Sequence, residues 1–239
     1  MILSKRLLTI ASFVPPGGRV ADVGTDHGYI PIYLVKNELA VSAIAMDVRS
    51  GPLSRAAEHV AEYGLSDRIE LRLSDGLDAL GAGEADTVVI SGLGGPLMMD
   101  ILERGRQTAE TVNCFVLSPQ SDIPGVRVFL RENGYRIRRE AFVKEDGKYY
   151  TVMQVVHGTD RPGRVVDDLY GRDLLERGDP VLGEFLQKQG ERCEKLLPEL
   201  AASPKEETRK RAREMEEELS FICQALKIME EAGWSAEKY

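Results

Sequence analysis

Short apolar runs alternate with amphipathic stretches through the first half of the chain, and this pattern predicts strands that alternate with helices. An apolar run of this length is typical of a strand that is buried on both faces of a parallel sheet. We predict strands over residues 20–23, 43–47, 69–73, 86–90 and 112–117. Apolar positions spaced three and four apart predict helices over residues 3–13, 52–63, 97–107 and 124–133, and another that ends near residue 37.

The pattern changes after Gly134. Residues 135–143 and 149–156 are predicted as two further strands, and Asp146-Gly147 lies in the short turn between them. Asp-Gly is a favoured pair in two-residue hairpin turns, so we expect these strands to be antiparallel neighbours. Five strand–helix units that end in a hairpin predict a Rossmann-like α/β domain, which we place at residues 1–158.

Residues 159–239 carry almost no strand pattern. One apolar stripe runs through residues 182–200, and a second runs from Met215 to Met229 in steps of four, three, four and three. Those steps are typical of the a/d seam of a coiled coil. Ser203, followed by Pro204, is the predicted N-cap of the second helix. We therefore predict a second domain over residues 159–239, an antiparallel helical hairpin of coiled-coil-like character.

Composition limits the function classes without choosing one. Of the 239 residues, 43% are hydrophobic and 29% are charged, which suits a chain with a packed core. The three cysteines are far apart and lack metal-ligand spacing, so we expect reduced thiols and no metal site. No apolar run is long enough for a membrane span, and the N-terminus lacks the order of a signal peptide. We expect a cytoplasmic protein that does not contact a membrane.

The strongest chemical motif is the stretch of residues 19–31, in which the first predicted strand ends in a glycine-containing loop. Gly24 and Gly28 allow a tight turn and a close approach of backbone to a ligand. Asp47 ends the next predicted strand about 20 residues later, where an acidic side chain accepts hydrogen bonds from ribose hydroxyls. This spacing predicts a site for a nucleoside-containing ligand.

The acidic residues of this loop argue against a dinucleotide. Asp22 lies within the first strand, and Asp26 occupies the place of a middle glycine. Two carboxylates repel a pyrophosphate and attract a cation. S-adenosylmethionine has a ribose and an adenine but no phosphate, and it carries an ammonium and a sulfonium. We therefore expect the ligand to be S-adenosyl-L-methionine. The alternative is a doubly wound domain that binds a different ligand.

Further candidate residues follow from their places at the carboxyl ends of the strands. Asp75, with Gly76, follows the third strand and is positioned to reach an adenine amino group. Residues 91–95 follow the fourth strand, and their glycines leave bare backbone against which a flat base fits; a plain tight turn is the alternative. The full set expected to bind the cofactor is Asp22, Gly24, Asp26, His27, Gly28, Asp47, Asp75, Gly76 and Ser91.

Three neighbouring side chains have competing interpretations. His27 is a candidate general base because an unperturbed imidazole titrates near neutral pH, but it could equally contact the cofactor or orient the loop. Asp26 is a candidate for stabilising a developing positive charge, or it holds the loop or the cofactor's ammonium. Tyr29 is a candidate for stacking on a target base, although at the start of a helix it could simply pack.

Net charge is −8, which argues mildly against a nucleic-acid partner. The chain nevertheless has two local clusters of basic residues, one over residues 127–139 and one over residues 205–213. Either cluster could be a solvated face or a contact for phosphates. The candidates for substrate contact are Tyr29, Gly92, Gly94, Gly95, Lys5, Arg6, Arg136 and Arg138.

The chain resembles the TrmK family, bacterial methyltransferases that act on N1 of adenine 22 in tRNA. The resemblance covers essentially the whole chain, and its most specific part is the segment D-H-G-Y-I-P at residues 26–31. Its other parts are residues 3–7, 22–25, 91–95, 117–120 and 145–150. Family members often have alanine and methionine where Ser91 and Leu93 stand, which leaves the role of Ser91 open.

The resemblance implies a class I methyltransferase fold, S-adenosyl-L-methionine as donor, tRNA as substrate and a C-terminal coiled-coil-like domain. The target position rests on the resemblance alone. Two other functions stay open: a small-molecule methyltransferase, which the acidic charge favours, and a non-catalytic interaction protein that uses the helical hairpin. We expect a monomer, and the heptad seam leaves a dimer open.

Overall fold

The computed structural model describes residues 1–235 and divides the chain into two compact units, the second of which begins at Arg161. The first unit has seven strands: β1 Gly18–Val23, β2 Ala40–Asp47, β3 Ile69–Leu73, β4 Thr87–Ser91, β5 Cys114–Ser118, β6 Tyr135–Glu145 and β7 Lys148–His157. Its helices are α1 Lys5–Phe13, α2 Tyr29–Lys36, α3 Ser50–Glu62, α4 Gly95–Arg104, α5 Arg106–Ala109 and α6 Ile123–Glu132.

The strands form one mixed sheet in the order β3-β2-β1-β4-β5-β7-β6. The first five are parallel, whereas β7 is antiparallel to both β5 and β6. The predicted hairpin and the antiparallel insertion are therefore confirmed. Asp146 and Gly147 join β6 to β7 with φ of 49° and 74°, and such left-handed values are required at both central positions of a type I′ turn.

Side chains alternate between two apolar layers along the central strands. On one face, Ala21, Val88 and Phe115 pack under α4 and α6. On the other face, Val20 and Val89 pack under α1 and α2. Burial on both faces explains why these strands appear in the sequence as nearly continuous apolar runs.

Two details of the first unit differ from the sequence expectations. The helix expected over residues 97–107 begins at Gly95 and is divided by Gly105 into α4 and the short α5. A Cβ at residue 105 would lie 2.7 Å from Leu77 Cδ1 and 2.9 Å from the Ile101 carbonyl oxygen. The close packing of this turn against Leu77 therefore requires a glycine, which sequence periodicity does not reveal.

The second unit contains four helices within its described residues: α7 Val165–Tyr170, α8 Arg172–Glu176, α9 Pro180–Ala201 and α10 Glu206–Glu231. Gly183 lies against Trp234, and Gly190 lies against Ile222, so α9 and α10 pack antiparallel. The N-cap expectation is wrong, because α10 begins at Glu206 with Lys205 as its N-cap. Helices α7 and α8 are too short to produce a clear apolar period and were not predicted.

No helix among residues 1–235 combines the length and the apolar character that a membrane crossing requires. Within the same residues, no three or more His, Cys, Asp or Glu side chains are grouped so that they could hold a metal ion.

Candidate active site

A cavity of about 410 Å³ opens at the carboxyl ends of β1, β2 and β4. In open α/β sheets this edge is where ligands bind. All of the lining residues belong to the first unit: Arg6, Leu7, Asp22, Gly24, Thr25, Asp26, His27, Tyr29, Ile30, Asp47, Arg49, Ser91, Gly92, Leu93 and Gln120.

The backbone of the first glycine loop is held against the neighbouring strand. The amides of Gly24 and Thr25 both donate to the Met46 carbonyl oxygen, each at 2.9 Å. Gly24 has a φ of 75°, and a Cβ there would meet Leu93 Cδ2 at 3.5 Å. The loop between β1 and α2 therefore lies directly beside the loop after β4, as their shared cavity requires.

Two buried carboxylates line this cavity. Asp22 is 3% exposed and Asp47 is 5% exposed. Burial raises the pKa of Asp22 to about 6, and the nearby Asp47 carboxylate adds to the rise. Asp47 Oδ1 accepts a hydrogen bond from the Arg49 amide at 2.9 Å. A cation in the cavity would relieve the cost of holding Asp22 ionised.

One buried polar atom of the cavity, His27 Nδ1, lacks a hydrogen-bond partner among the described residues. The Thr25 hydroxyl is also buried, and it lies beside Asp22, where it opposes the rise in the pKa of that carboxyl. A buried polar atom without a hydrogen bond costs free energy, and native structures usually satisfy such atoms. Together with the two carboxylates, these atoms fit a polar, partly cationic ligand.

Asp26 lies in a different environment from the two buried acids. Its side chain is exposed, and its φ of 50° places it in the left-handed region. Its carboxylate accepts from Arg55 Nη2 at 3.1 Å and lies 3.5 Å from His27 Nε2. The pairing with Arg55 supports the expectation that Asp26 holds the loop.

Tyr29, the first residue of α2, is 39% exposed at the cavity. Its ring stacks on that of His27, with centroids 5.2 Å apart and planes 11° from parallel. Arg6 is held nearby, since its amide donates to Glu145 Oε1 at 3.2 Å and its guanidinium lies over the Tyr150 ring. An aromatic face and a cation thus border a cavity whose deeper part is acidic.

Several predicted site residues do not line the cavity. Gly28 instead lies against Ala56 of α3. Asp75 is exposed, with its carboxylate 3.2 Å from Arg104 Nη2. A Cβ at Gly76 would come within 2.9 Å of Ile101, so packing alone explains that glycine. The cofactor roles of these three residues stay predictions.

The last two glycines of the β4–α4 loop also have a structural explanation. A Cβ at Gly95 would lie 2.4 Å from the Ser121 carbonyl oxygen, and one at Gly94 would lie 3.1 Å from Ser121 Oγ. Only Ser91, Gly92 and Leu93 of this loop line the cavity. Gly94 and Gly95 therefore allow α4 to start close to the next loop, and their contact with substrate stays a prediction.

The basic cluster over residues 127–139 is not a uniform surface. Arg127 is 4% exposed and forms a buried ion pair with Glu140 at 2.9 Å, which excludes it from contact with phosphates. Arg136 and Arg138 are exposed at the start of β6. In the strand register, this part of β6 lies level with the amino end of β5. The cavity lies at the opposite edge of the sheet, at the carboxyl ends of the parallel strands. Lys5 is exposed beside Arg6 but does not line the cavity.

Three polar residues of the cavity are absent from the set expected from the sequence: Thr25, Arg49 and Gln120. Arg49 lies two residues after Asp47. Gln120 follows β5, and its backbone N–H donates to the Leu93 carbonyl oxygen at 2.9 Å. Gln120 lies just after the carboxyl end of a parallel strand, and Ser91 was predicted as a site residue because of the same kind of position. The rule for parallel sheets therefore would have found Gln120 if it had been applied to the fifth strand.

Comparisons with known proteins agree with this geometry. The family model described as a methyltransferase domain matches residues 3–153. The tRNA (adenine(22)-N(1))-methyltransferase of Bacillus subtilis is 37% identical over 187 residues, which are 78% of this chain and 76% of that protein.

Two solved structures share the fold over nearly the whole chain. Sp1610 of Streptococcus pneumoniae, in complex with S-adenosyl-L-methionine, is 31% identical with a TM-score of 0.84, over 94% of this chain and 100% of that one. M. capricolum TrmK, in complex with S-adenosyl-homocysteine, is 25% identical with a TM-score of 0.82, over 96% and 100%.

Proposed function

The chain belongs to the TrmK family of tRNA (adenine-N1)-methyltransferases, and from that premise we propose that it methylates N1 of adenine 22 in tRNA with S-adenosyl-L-methionine as donor. The observation that carries the proposal is the cavity itself. It combines two buried carboxylates, an unpaired buried nitrogen of His27 and an exposed aromatic ring at the carboxyl edge of the sheet.

We propose that the deeper part of the cavity holds the cofactor. The Asp47 carboxylate is placed to accept hydrogen bonds from ribose hydroxyls, because it ends β2. The Asp22 carboxylate supplies the negative charge that an ammonium group requires. His27 Nδ1 gains the hydrogen bond that it lacks among the described residues, and the Thr25 hydroxyl is a further polar group of the cavity. Gly24 keeps the wall free of side chains beside Leu93.

S-adenosyl-L-methionine would supply an electrophilic sulfonium methyl group to the lone pair of adenine N1, and its sulfur would leave as a neutral thioether with the electron pair of the broken S–CH3 bond. The protein therefore needs neither a covalent nucleophile nor a metal, and its main task is to hold the base in line with the methyl group. Tyr29 offers a ring face for the base, and Ser91 and Gly92 contribute backbone with little side chain to the lining of the same cavity. The developing positive charge on adenine is favoured by the acidic character of the cavity.

A general base is not required, so we propose that His27 contributes its ring and its hydrogen bonds rather than proton transfer. His27→Phe keeps an aromatic ring and removes the basic nitrogen. We expect turnover at saturating cofactor to stay within about threefold of wild type, whereas a lost general base costs roughly a hundredfold or more. A loss of that size would assign the base to His27.

We propose that residues 1–158 carry the transfer reaction and that residues 159–239 contact the RNA. Arg192, Lys205 and Arg211 support the second part, because they line a cavity of about 600 Å³ within the helical unit. Cations placed in this way meet phosphates without reading sequence. Arg6 is the candidate phosphate contact beside the active site, and Lys5, Arg136 and Arg138 are candidates at more distant points of a large RNA.

We further propose that the enzyme acts as a monomer in the cytoplasm, where tRNA is modified. Two of the five residues of the predicted a/d seam, Ile222 and Met229, are already buried within one chain, and the other three are half-buried, which supports the monomer. A dimer that used the same seam would have to displace α9.

The test is methyl transfer from labelled S-adenosyl-L-methionine to unmodified bacterial tRNA, followed by nucleoside analysis. We expect 1-methyladenosine as the labelled product. Cofactor binding without label on any tRNA would favour a small-molecule methyltransferase. Absence of cofactor binding would favour a non-catalytic interaction protein.

A further inference from the structure

One face of α3 packs against the loop between β1 and α2, which ends directly before Tyr29. Arg55 and His59 are four residues apart and therefore lie on the same side of the helix. Arg55 Nη2 donates to Asp26 Oδ1 at 3.1 Å, and His59 Nδ1 lies 2.9 Å from the His27 carbonyl oxygen. The buried Ala56 packs closely against Gly28, because a Cβ added at Gly28 would lie only 3.3 Å from the Ala56 Cβ. The loop is thus fixed from outside the cavity at three successive residues.

His59 makes a second kind of contact with this loop. Its ring stacks on that of His27, with centroids 5.6 Å apart and planes 27° from parallel. It also stacks on Tyr29, at 5.5 Å and 16°. Aromatic pairs at such separations are favourable beyond the area that they bury. Tyr29 therefore has its ring plane defined by two imidazoles, one from its own loop and one from α3.

The position of His59 separates it from the residues that contact ligand. It is half-buried and is not among the described residues that line the cavity, whereas Tyr29 and His27 both line it. An exposed tyrosine at the first position of a helix would otherwise lose rotamer freedom when a base stacks on it. A ring that is already held in one orientation avoids that loss.

We propose that His59 is a positioning residue, which holds the Tyr29 ring in the orientation that receives the target adenine. This inference rests on the proposed function for its consequence, because it assumes that a base stacks on Tyr29. His59 acts through two groups: the Nδ1–H that donates to the His27 carbonyl oxygen, and the ring that lies against Tyr29. It touches neither the cofactor nor the substrate.

The experiment compares His59→Ala, His59→Phe and His59→Asn in the full-length enzyme, with Glu62→Ala as a matched control on an exposed position of the same helix. Phenylalanine keeps the ring and removes the donor, and asparagine keeps a donor near Nδ1 and removes the ring. For each variant we would measure kcat and KM with tRNA, the Kd for S-adenosyl-L-methionine, the Tm, and the NMR shifts of the Tyr29 ring protons, assigned with Tyr29→Phe.

We expect His59→Ala to lower kcat/KM for tRNA about tenfold while the Kd for the cofactor changes less than about twofold, because the loss of orientation acts on the substrate side. His59→Phe should recover most of the activity, and Glu62→Ala should behave as wild type. The Tyr29 ring signals should move in His59→Ala, since the ring current of the imidazole is lost.

Two results would overturn the inference. One is an unchanged Tyr29 spectrum, or unchanged tRNA kinetics, in His59→Ala. The other is a parallel loss of Tm, cofactor affinity and activity that His59→Phe does not rescue, which would mean a purely structural role. A wild-type chain that leaves every tRNA unmethylated contradicts the proposed function instead, and the ring signals would still decide whether His59 holds Tyr29.

Discussion

Asp22 and Asp47 place two carboxylates in one cavity, and burial gives Asp22 a pKa of about 6 instead of its ordinary value of 3.8. The unfolded chain therefore loses this proton at lower pH than the folded chain does. Across that interval the folded state binds more protons, so its stability falls as the pH rises from about 4 to 6. The ligand-free site is destabilised above pH 6 by a charge that a bound cation would offset.

We expect the affinity for S-adenosyl-L-methionine to weaken about tenfold between pH 7 and pH 5, because protonation of Asp22 removes the charge that faces the ligand's ammonium. Titration calorimetry near pH 6 should show proton release on binding. Asp22→Asn should bind the cofactor weakly at both pH values and lose this dependence. An unchanged pH dependence in that variant would place the titrating group elsewhere.

The same substitution has an opposite effect on the ligand-free protein. At pH 7 Asp22→Asn should stabilise it by up to about 3 kcal/mol, since a rise of one pKa unit corresponds to about 1.4 kcal/mol. Thermal unfolding at pH 4 and pH 7 measures this difference, and Glu62→Gln on an exposed position serves as control. Equal destabilisation at both pH values would mean that Asp22 is held by hydrogen bonds rather than penalised by burial.

Individual site residues were predictable to the extent that they follow an apolar run directly. Asp47 and Ser91 were found in this way, whereas Asp22 was found as an acid that interrupts such a run, and all three line the cavity. Asp75 met the same rule, but its side chain pairs with Arg104 in the structure. The contacts of Arg55 and His59 depend on how α3 docks against another loop, and no local pattern records such a contact.

At the scale of elements, the turn that links β4 to α4 depends on close backbone packing. Gly95 is buried, its amide donates to the Ser121 carbonyl oxygen at 3.1 Å, and a Cβ there would lie 2.4 Å from that oxygen. The chain passes here between the cavity and the first turn of α4. The requirement for glycine is therefore steric.

We expect Gly95→Ala to lower the free energy of unfolding by about 1–3 kcal/mol, the usual cost of overpacking a tight site. Chemical denaturation measures this change. Gly51→Ala in α3 is the matched control, because a Cβ there meets nothing within 4 Å and alanine suits a helix better. A Gly95→Ala protein as stable as wild type would show that the two loops can separate without cost.

A second link between elements is the buried pair of Arg127 in α6 and Glu140 in β6. Removal of the Arg127 guanidinium takes away the cation that lies 2.9 Å from the buried Glu140 carboxylate. We expect Arg127→Met to destabilise the protein by roughly 3–5 kcal/mol and Arg127→Met combined with Glu140→Leu to recover much of that loss. The dependence of tRNA affinity on salt concentration should be the same in the folded variant as in wild type. A weaker salt dependence in Arg127→Met would show that Arg127 contacts phosphate after all.

The order and type of the long elements followed from periodicity, including the strand hairpin that β6 and β7 form around Asp146 and Gly147. Boundaries and short helices did not. The start of α10 was misplaced because Ser203 and Pro204 resemble an N-cap sequence, whereas Ser203 Oγ accepts from the Lys205 amide just outside the helix. Capping residues also occur in turns, so their presence alone does not locate a helix start.

At the scale of the whole molecule, a net charge of −8 conceals local clusters of cations. Arg192 and Arg211 line one cavity of the helical unit, together with Lys205. Because affinity for RNA depends on local phosphate contacts, the total charge does not decide whether tRNA binds. The sequence revealed the cluster around Arg211, but not its proximity to Arg192 on the preceding helix.

We expect Arg192→Glu with Arg211→Glu to weaken tRNA binding and to reduce its salt slope by about 2, roughly 1 for each lost phosphate contact. The Kd for S-adenosyl-L-methionine should stay the same. Lys195→Glu with Lys227→Glu changes the net charge equally at exposed positions that do not line this cavity, and it should have a smaller effect. Equal effects of the two pairs would point to net charge rather than a specific contact.

The proposed methyl acceptor is one atom of one nucleotide, so the most direct measurement uses two tRNA transcripts that differ only at position 22. One carries adenine there and the other carries guanine. With labelled S-adenosyl-L-methionine, we expect 1-methyladenosine at position 22 of the first transcript and no label in the second. Equal labelling of both, or a methyl group mapped to another position, would contradict the assignment.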